Sequence, residues 1–170
     1  DTRLSKTNVK MINKDYLHEL FEYKDGELYW KVTLSNKRKK GDMAGCLLPK
    51  GYKTIGIDGK NYFMHRLIFM MFYGYLPKKI DHKDGNAKNN KIENLRNASD
   101  LENSYNAKIR KDNTSGCKGV IWHKYAKKWI VVIKAKNKVI YSKYFDNLEL
   151  ADLVAQEARN KYHKDFARHN

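Results

Sequence analysis

Composition and charge bound what this chain can do. Its 170 residues suffice for one ordinary domain or two small ones, and a hydrophobic content of 41% is too high for a disordered basic tail. Lys and Arg number 35 against 19 Asp and Glu, so the formal net charge is +16. Such a charge attracts polyanions, chiefly nucleic acid or an anionic membrane surface. No apolar run approaches the roughly 18 residues of a spanning helix, so no membrane partner is expected.

The cysteines and the N-terminus indicate a reducing, cytoplasmic setting. Cys46 and Cys117 are isolated, which leaves a zinc ribbon or a disulfide framework unsupported. The first residues contain no hydrophobic segment typical of a secretion signal. Residues 1–10 are interpreted as a leader or extension, because the segment MINKDYLHELF that follows them resembles the start of a domain.

The first half of the chain alternates helical patterns with hairpin turns. Residues 13–22 carry apolar side chains at helical spacing. Asp25-Gly26 and Asp58-Gly59 each separate aromatic-containing segments, which predicts two β-hairpins. Residues 64–73 are apolar nearly all round, so we expect a buried helix that ends at Gly74.

A long polar loop follows that helix. The stretch from Ile80 to Asn97 is poor in apolar residues and dense in Asp, Asn, Gly and Lys. Burial of Ile80 and Leu95 would bring the two ends of the loop together as short strands. Ser99 and Glu102 match a capping box, which predicts a helix from there to about Arg110.

The last third of the chain has a different pattern, after a candidate linker at 111–116. Hydrophobic residues between Val120 and Phe145 fall in three short segments, which predicts a three-stranded antiparallel sheet. A final helix should present Leu150, Val154 and Ala158 on one face. The expected fold class is α+β, with one domain over 11–110 and a second over 117–170.

Three residues of the polar region suit a metal site. Asp81 and His82 stand side by side at the end of the first short strand, and Asn103 falls in the second turn of the capped helix. One carboxylate and one amide oxygen suit Mg²⁺, which keeps most of its waters. A neutral His82 beside the cation could take a proton from an attacking water. An isolated Asp-His pair is also common in surface turns, so the spacing alone does not decide between the two interpretations.

The segment DHKDGNAKNNKIENLR, followed by DLENSYN, resembles the HNH endonucleases of the phage and intron-homing type. Their ββα-metal motif has the pattern DH-x-x-GN-x(3)-N-x(3)-NLR, and GYKTIGIDGKNYFMHRLIF resembles the region that precedes it. The resemblance covers roughly residues 13–110. It implies DNA hydrolysis to a 5′-phosphate and a 3′-hydroxyl, with Mg²⁺ as cofactor, Mn²⁺ as its expected substitute and no zinc.

The same resemblance assigns roles to four residues. Asp81 and Asn103 become the metal ligands, and Asn103 takes the place of the last His of the HNH name, so the chain is an H-N-N variant. His82 becomes the general base. Asn94 becomes the middle Asn, which ties the loop together through backbone hydrogen bonds.

Positive charge is concentrated in the C-terminal region. Between Lys118 and Lys143 there are eight Lys and no acidic residue, whereas ordinary solvated surfaces mix both signs. One face of the predicted sheet is left open by the final helix, and such a sheet can enter the DNA major groove. In the preceding helix, Asn106 and Arg110 share a face with Asn103 and are candidate phosphate contacts.

Residues 115–170 resemble the Apetala-two/ethylene-response-factor DNA-binding domain, in the form attached to phage HNH nucleases, through the pattern KGV…W…KW…I…YF…A…A. In that family three strands lie in the major groove and a helix braces their back. Carried over by position, the groove-facing residues are Lys118, Ile121, His123, Ile130, Val132, Lys134, Val139 and Tyr141. Expected phosphate contacts are Lys134, Lys136, Lys138 and Lys143. The apolar members replace arginines common in that family, and could pack on thymine methyl groups or cover a protein partner.

The sequence therefore predicts a metal-dependent DNA endonuclease of a phage or mobile element, acting in the bacterial host and placed on double-stranded DNA by its C-terminal domain. One active site per chain cuts one strand, so a double-strand break needs a second copy or two sequential nicks. One alternative is a DNA-binding protein that keeps an HNH scaffold without catalysis. The other is a basic RNA-binding protein.

Overall fold

The computed structural model describes residues 11–169, and the predicted leader at 1–10 lies outside the described residues. The chain has the expected α+β architecture, with small antiparallel sheets and short helices. It divides into two compact units, one ending at Asn97 and the other beginning at Ala98. The predicted domains, 11–110 and 117–170, have other boundaries, and those boundaries stay a prediction.

The first unit consists of short elements joined by tight turns. They are α1 (Lys14–Leu20), β1 (Phe21–Lys24), β2 (Glu27–Trp30), β3 (Cys46–Leu47), β4 (Lys53–Ile57), β5 (Lys60–Phe63), α2 (Met64–Tyr73), β6 (Ile80–His82) and β7 (Leu95–Asn97). Strands β1 and β2 form a hairpin, β3, β4 and β5 form a sheet in that order, and β6 pairs with β7, all antiparallel.

Local chemistry explains why these elements begin and end where they do. Asn13 caps α1 by accepting a hydrogen bond from the backbone N–H of Tyr16 at 2.9 Å. Asp25 and Gly26 both have positive φ, at 49° and 88°, as a tight hairpin turn requires. Gly74 ends α2 in the left-handed conformation, with φ 76°. The predicted hairpins and both predicted helices of this unit are confirmed.

The core of the first unit lies between α1, α2 and the hairpins. Its most deeply buried members are Leu17, Phe21, Leu28, Ile55, Met64, Leu67 and Ile68. Helix α2 is the central element, because six of its ten residues are buried, as its nearly continuous apolar sequence predicts.

The second unit places a three-stranded antiparallel sheet on one helix, as predicted. Its elements are α3 (Asp100–Tyr105), β8 (Val120–His123), β9 (Lys128–Ala135), β10 (Lys138–Phe145), α4 (Leu148–His163) and a 3₁₀ turn at Lys164–Phe166. Strand β9 lies between β8 and β10. The core between sheet and helix consists of Val120, Val131, Ile133, Ala151, Ala155 and Ala158.

The predicted packing face of the last helix is partly wrong. Ala151, Ala155 and Ala158 contact the sheet, whereas Leu150 is 51% exposed and Val154 is only half-buried. The three alanines follow one another at spacings of four and three residues, which is one continuous stripe of an α-helix. Leu150 precedes that stripe by one residue, and its side chain therefore points to solvent.

The prediction of a helix reaching Arg110 is also wrong, because α3 ends at Tyr105. Its start is as predicted, with Ser99 and Glu102 forming a reciprocal capping box. At the other end, the carbonyls of Tyr105 and Ala107 accept hydrogen bonds from the Lys118 amine, at 2.8 and 2.6 Å. A side chain thus satisfies carbonyls that a longer helix would have used.

Within residues 11–169, no helix combines the length and the apolar character that crossing a bilayer requires.

Candidate functional site

The β6–β7 ribbon positions the candidate metal ligand Asp81. In its register Asp81 lies opposite Arg96, and His82 lies opposite Leu95. Asp81 is 6% exposed, and its Oδ2 accepts hydrogen bonds from Nε of Arg96 at 2.8 Å and from Nη2 at 2.7 Å. A buried carboxylate requires such a partner, because removal from water penalises an uncompensated charge. Arg96 therefore fixes the orientation of this carboxylate.

His82, the candidate general base, lies next to Asp81 and is equally buried. Its Nε2 is 3.1 Å from Oδ1 of Asn90, which is itself buried. With its amide oxygen facing the ring, Asn90 can accept a hydrogen bond from the tautomer of His82 that carries its proton on Nε2. Proton abstraction through Nδ1 would use this tautomer.

Aromatic rings surround the His82 imidazole. The His65 ring lies 5.2 Å away, edge to face, and the Tyr52 ring lies 6.1 Å away. Burial, followed by repulsion from His82 and Arg66, lowers the pKa of His65 to about 3. His65 is therefore neutral near pH 7 and adds no positive charge beside the candidate base.

Asn94 ties the polar loop together. Its Oδ1 accepts from the backbone N–H of Asp84 at 3.1 Å, and its Nδ2 donates to Oδ1 of Asp84 at 3.0 Å and to the carbonyl of Asn89 at 2.8 Å. Burial opposes ionisation of Asp84, but hydrogen bonds from Asn86, Asn89 and Asn94 outweigh it and lower the Asp84 pKa. The loop between β6 and β7 is thereby held by side-chain amides.

The second predicted ligand, Asn103, lies in α3 of the second unit and is half-buried. Among residues 11–169 there is no group of three or more His, Cys, Asp or Glu side chains gathered for a metal. A site built on one carboxylate and one amide does not need such a group. Both oxygens are hard ligands that fit Mg²⁺ or Mn²⁺. The assignment of Asp81 and Asn103 as a ligand pair stays a prediction.

The second unit has an open sheet face opposite α4. Ile121 lies opposite Ile130, and Val139 lies opposite Lys134, so these residues share one side of the sheet. Ile121 and Val139 are 56% and 53% exposed. On the same face His123 contacts Tyr144, with ring centroids 5.3 Å apart. The structure thus brings most of the predicted groove-facing residues together on one apolar and basic surface, which we call the open face.

Tyr141 is an exception, and its predicted groove-facing orientation is wrong. The pairing of β9 and β10 is irregular between Val139 and Tyr141, so Val139 lies opposite Lys134 while Tyr141 lies opposite Ile133. This β-bulge inserts one residue and reverses the alternation that follows it. Tyr141 therefore packs on the core between sheet and helix.

Lys143 follows the same register and lies opposite the core residue Val131, with its amine 5.9 Å from the centre of the Phe145 ring. Lys136 is exposed in the β9–β10 turn, and its backbone N–H donates to the Tyr105 hydroxyl at 3.2 Å. Their contacts with phosphate stay predictions.

Three other predicted DNA-binding residues lie outside the strands of the open face. Lys118 donates to the carbonyls of Tyr105 and Ala107, and burial together with Arg159 and Arg168 lowers its pKa to about 8. Asn106 is buried at the end of α3. Arg110 lies beyond the helix and forms an exposed ion pair with Asp112. The idea that Asn106 and Arg110 share a helix face with Asn103 is wrong, because the helix stops first.

Sequence reasoning missed the residues that support Asp81 and His82. Arg96 lies opposite Asp81, and Asn90 contacts His82. Arg96 and Asn90 were both included in the motif, but neither residue was assigned a role from the sequence. Once Ile80 and Leu95 are taken as paired strands, an antiparallel register could have placed Arg96 near Asp81. No sequence signal marks Tyr52 or His65 as neighbours of His82.

The comparisons with known proteins agree with this geometry. Residues 62–105 match the family model described as HNH endonuclease. The chain is 40% identical to Protein 3.8 of Escherichia phage T7 over 99 residues, which cover 56% of this chain and 79% of that protein. It is 32% identical over 92 residues to YosQ, a candidate HNH homing endonuclease by its name, derived from the SPbeta prophage of Bacillus subtilis (strain 168).

The match to YosQ covers 48% of this chain and about half of that protein, at 53% of its length. No solved structure is significantly similar to the chain. The matched region contains β6, the loop that Asn94 holds, β7 and α3, which together carry the DH and NLR letters of the motif. The chain therefore contains an HNH endonuclease domain and belongs to the same family as Protein 3.8 of phage T7.

Proposed function

We propose that this protein is a divalent-metal-dependent DNA endonuclease of phage or homing type, which acts in the bacterial host cell and leaves a 5′-phosphate and a 3′-hydroxyl. The observation that carries the proposal is the pairing of buried Asp81 and buried His82 at the end of β6. Each has a dedicated partner, Arg96 and Asn90, which holds it in one orientation. Burying two polar groups costs folding free energy that apolar residues would not cost, so finding them side by side favours a functional role.

In this proposal His82 acts as the general base. With Nε2–H directed to Asn90, Nδ1 accepts the proton of the attacking water. The ring is held from two sides by Tyr52 and His65, so that its nitrogen is presented in a fixed direction. In this proposal His82 therefore transfers the proton, and Asn90 favours the tautomer of His82 that can accept it.

Asp81 and Asn103 would hold the divalent cation, Mg²⁺ or Mn²⁺. When bound, such a cation supplies charge stabilisation to the phosphate and to the leaving oxygen. Asp81 contributes negative charge and Asn103 a neutral oxygen, so few of the cation's positions are filled by protein. A sparse ligand set suits a nuclease, because the substrate phosphate must also bind.

The second unit would place the nuclease on double-stranded DNA as an Apetala-two-like domain. Support comes from the open face, where Lys134 and His123 accompany the exposed apolar residues Ile121 and Val139. Lysines can neutralise phosphates, and apolar side chains can pack on the methyl group of thymine. Replacing thymine by deoxyuridine in a selected binding site should therefore weaken binding; unchanged affinity would favour a protein partner for this face.

Plasmid cleavage tests the proposal directly. Supercoiled plasmid should be nicked in Mg²⁺ or Mn²⁺ and left intact in EDTA, and His82→Ala should abolish nicking while DNA affinity stays nearly unchanged. His18→Gln removes another imidazole, from α1, and should nick at the wild-type rate. Nicking that persists in EDTA, or that persists in the His82→Ala variant, would contradict the mechanism.

Two alternative functions predict different results for the same protein preparation. A non-catalytic DNA-binding protein would bind the plasmid without any metal-dependent nicking. An RNA-binding protein would be displaced from duplex DNA by an equal amount of duplex RNA. Whether a double-strand break needs a second copy follows from the ratio of nicked to linear product at rising protein concentration.

A further inference from the structure

Tyr105, the last residue of α3, stacks on His163, the last residue of α4. Their ring centroids are 3.8 Å apart and their planes differ by 4°. Both residues belong to the second unit. A parallel ring stack of this closeness joins the end of α3 to the helix that braces the sheet.

Hydrogen bonds also hold Tyr105 and His163 in position. The Tyr105 carbonyl accepts from the Lys118 amine at 2.8 Å, and the Tyr105 hydroxyl accepts from the backbone N–H of Lys136 at 3.2 Å. Nε2 of His163 lies 2.9 Å from the carbonyl of Lys134, to which it can donate. Tyr105 is thus attached to residues preceding β8, to the β9–β10 turn and to α4. We call Tyr105, Lys118 and His163 the Tyr105 cluster.

Helix α3 needs such an attachment. It has only six residues, and an isolated helix of that length is unstable in water. None of its residues is fully buried in the structure, so packing of an apolar face does not hold it. The capping box defines where α3 starts, and the Tyr105 cluster defines where its other end lies against the sheet.

Asn103, two residues before Tyr105, is carried by this short helix. A cleft of about 390 Å³ is lined by Leu101 and Ser104 of α3 and by Ile121, Val132 and Lys134 of the open face. Helix α3 therefore lies directly beside the surface proposed to bind DNA. A change in the attachment of Tyr105 would move Asn103 relative to that surface.

We propose that Tyr105 is a positioning residue, which through its stack on His163 holds α3 so that Asn103 presents its amide to the metal in a fixed relation to the DNA on the open face. The proposal rests on the proposed function, because it takes Asn103 as a metal ligand.

Metal affinity of the full-length protein tests this role. Mn²⁺ binding is measured by electron paramagnetic resonance, alongside DNA affinity by fluorescence anisotropy and nicking at saturating DNA. Tyr105→Ala should raise the Mn²⁺ dissociation constant about tenfold and slow nicking, as loss of groups that orient metal ligands usually does. DNA affinity should change less than about twofold, because Tyr105 is not among the open-face residues expected to contact phosphate.

Matched variants separate positioning from general damage. Tyr105→Phe keeps the stack and loses one hydrogen bond, so its Mn²⁺ affinity should stay within about threefold of wild type. His163→Ala removes the other half of the stack and should repeat the effect of Tyr105→Ala, even if Tyr105→Ala itself folds poorly. Tyr162→Ala removes the neighbouring ring on α4 and should leave Mn²⁺ affinity unchanged.

The outcomes distinguish the two proposals. If wild type binds Mn²⁺ and nicks DNA, but Tyr105→Ala and His163→Ala bind Mn²⁺ as tightly as wild type does, the positioning role is wrong and the nuclease proposal stands. If Asn103→Ala leaves Mn²⁺ affinity unchanged, the positioning role is also wrong. If wild type shows no metal-dependent nicking, both proposals fail.

Discussion

Arg96 donates two hydrogen bonds to a single oxygen of Asp81, from Nε at 2.8 Å and from Nη2 at 2.7 Å. Both side chains are largely buried, with 14% and 7% of their surface exposed. The carboxylate proposed to bind a divalent cation is therefore already compensated by a fixed positive charge. Arg96 orients Asp81 before any metal arrives.

Removing Arg96 should destabilise the first unit. Arg96→Met leaves the Asp81 carboxylate buried without this partner, and we expect the free energy of unfolding to fall by about 3 kcal/mol. Arg96→Lys keeps the positive charge but cannot donate two hydrogen bonds in the fixed geometry of the guanidinium group. The free energy of unfolding should therefore fall less, by about 1 kcal/mol. Urea unfolding in EDTA measures both without interference from metal.

A double variant provides the control for this pair. Asp81→Asn with Arg96→Met removes the buried charges together and should recover most of the stability lost in Arg96→Met. A single Arg96→Met variant as stable as wild type would mean that the ion pair does not hold Asp81.

Replacing Asn94 should loosen the loop between β6 and β7. Asn94→Ala deletes three hydrogen bonds made by a side chain that is 8% exposed, so we expect a loss of about 2 kcal/mol in unfolding free energy and slower nicking. Asn86→Ala, in the exposed part of the same loop, should cost less than about 0.5 kcal/mol. Equal losses for the two variants would contradict the special role of Asn94.

The buried His65 should make the stability of the first unit sensitive to acid. Its pKa is about 3 in the folded chain against an ordinary 6.5, so below about pH 6.5 the unfolded chain binds a proton that the folded chain does not. Stability is then lost as pH falls from 6.5 towards 3, by up to about 1.4 kcal/mol for each pH unit.

The measurement compares urea unfolding of wild type and His65→Phe over this range. His65→Phe keeps a ring against Phe63 and Tyr52 but cannot titrate, so its stability should fall less steeply with acid. Phe63→Leu changes a neighbouring ring without removing the imidazole and should keep the wild-type slope. Identical slopes for wild type and His65→Phe would show that His65 is not the responsible group.

Lys134 should contribute one phosphate contact to DNA binding. It is exposed on the open face, opposite Val139. Lys134→Ala should weaken binding to all sequences similarly and reduce the slope of log affinity against log salt by about 1. Lys161→Ala, on α4, loses the same charge away from the sheet and should keep the wild-type slope. The same change of slope in both variants would indicate a general charge effect instead.

Elements that depend on neighbouring residues alone were predictable from the sequence. The turns at Asp25-Gly26 and Asp58-Gly59 require positive φ, which these residues adopt readily, and both hairpins formed as expected. The capping box at Ser99 and Glu102 marked the start of α3 for the same reason. Ile130, Val132 and Lys134, which alternate along β9, also lie on one face of the sheet as predicted.

Features that depend on a distant partner were not predictable. The end of α3 is set by Lys118, thirteen residues beyond Tyr105, so the local pattern overestimated the helix. Tyr141 lies on the core side of the sheet instead of the predicted open face because β10 contains a bulge. That bulge depends on how β10 pairs with β9. Leu150 looked like a core residue by type, but the alanine stripe of α4 allowed closer packing.

The sequence by itself determined the chemistry that this protein can offer: the Asp-His pair, the asparagines of the HNH motif and a C-terminal region rich in lysine. Those properties belong to residue types and short spacings. Only the tertiary structure decided that Arg96 orients Asp81, that Asn90 contacts the His82 ring and that Tyr105 attaches α3 to α4 and to the β9–β10 turn. These pairings arise from strand register and burial, which are properties of the whole folded unit rather than of any segment in it.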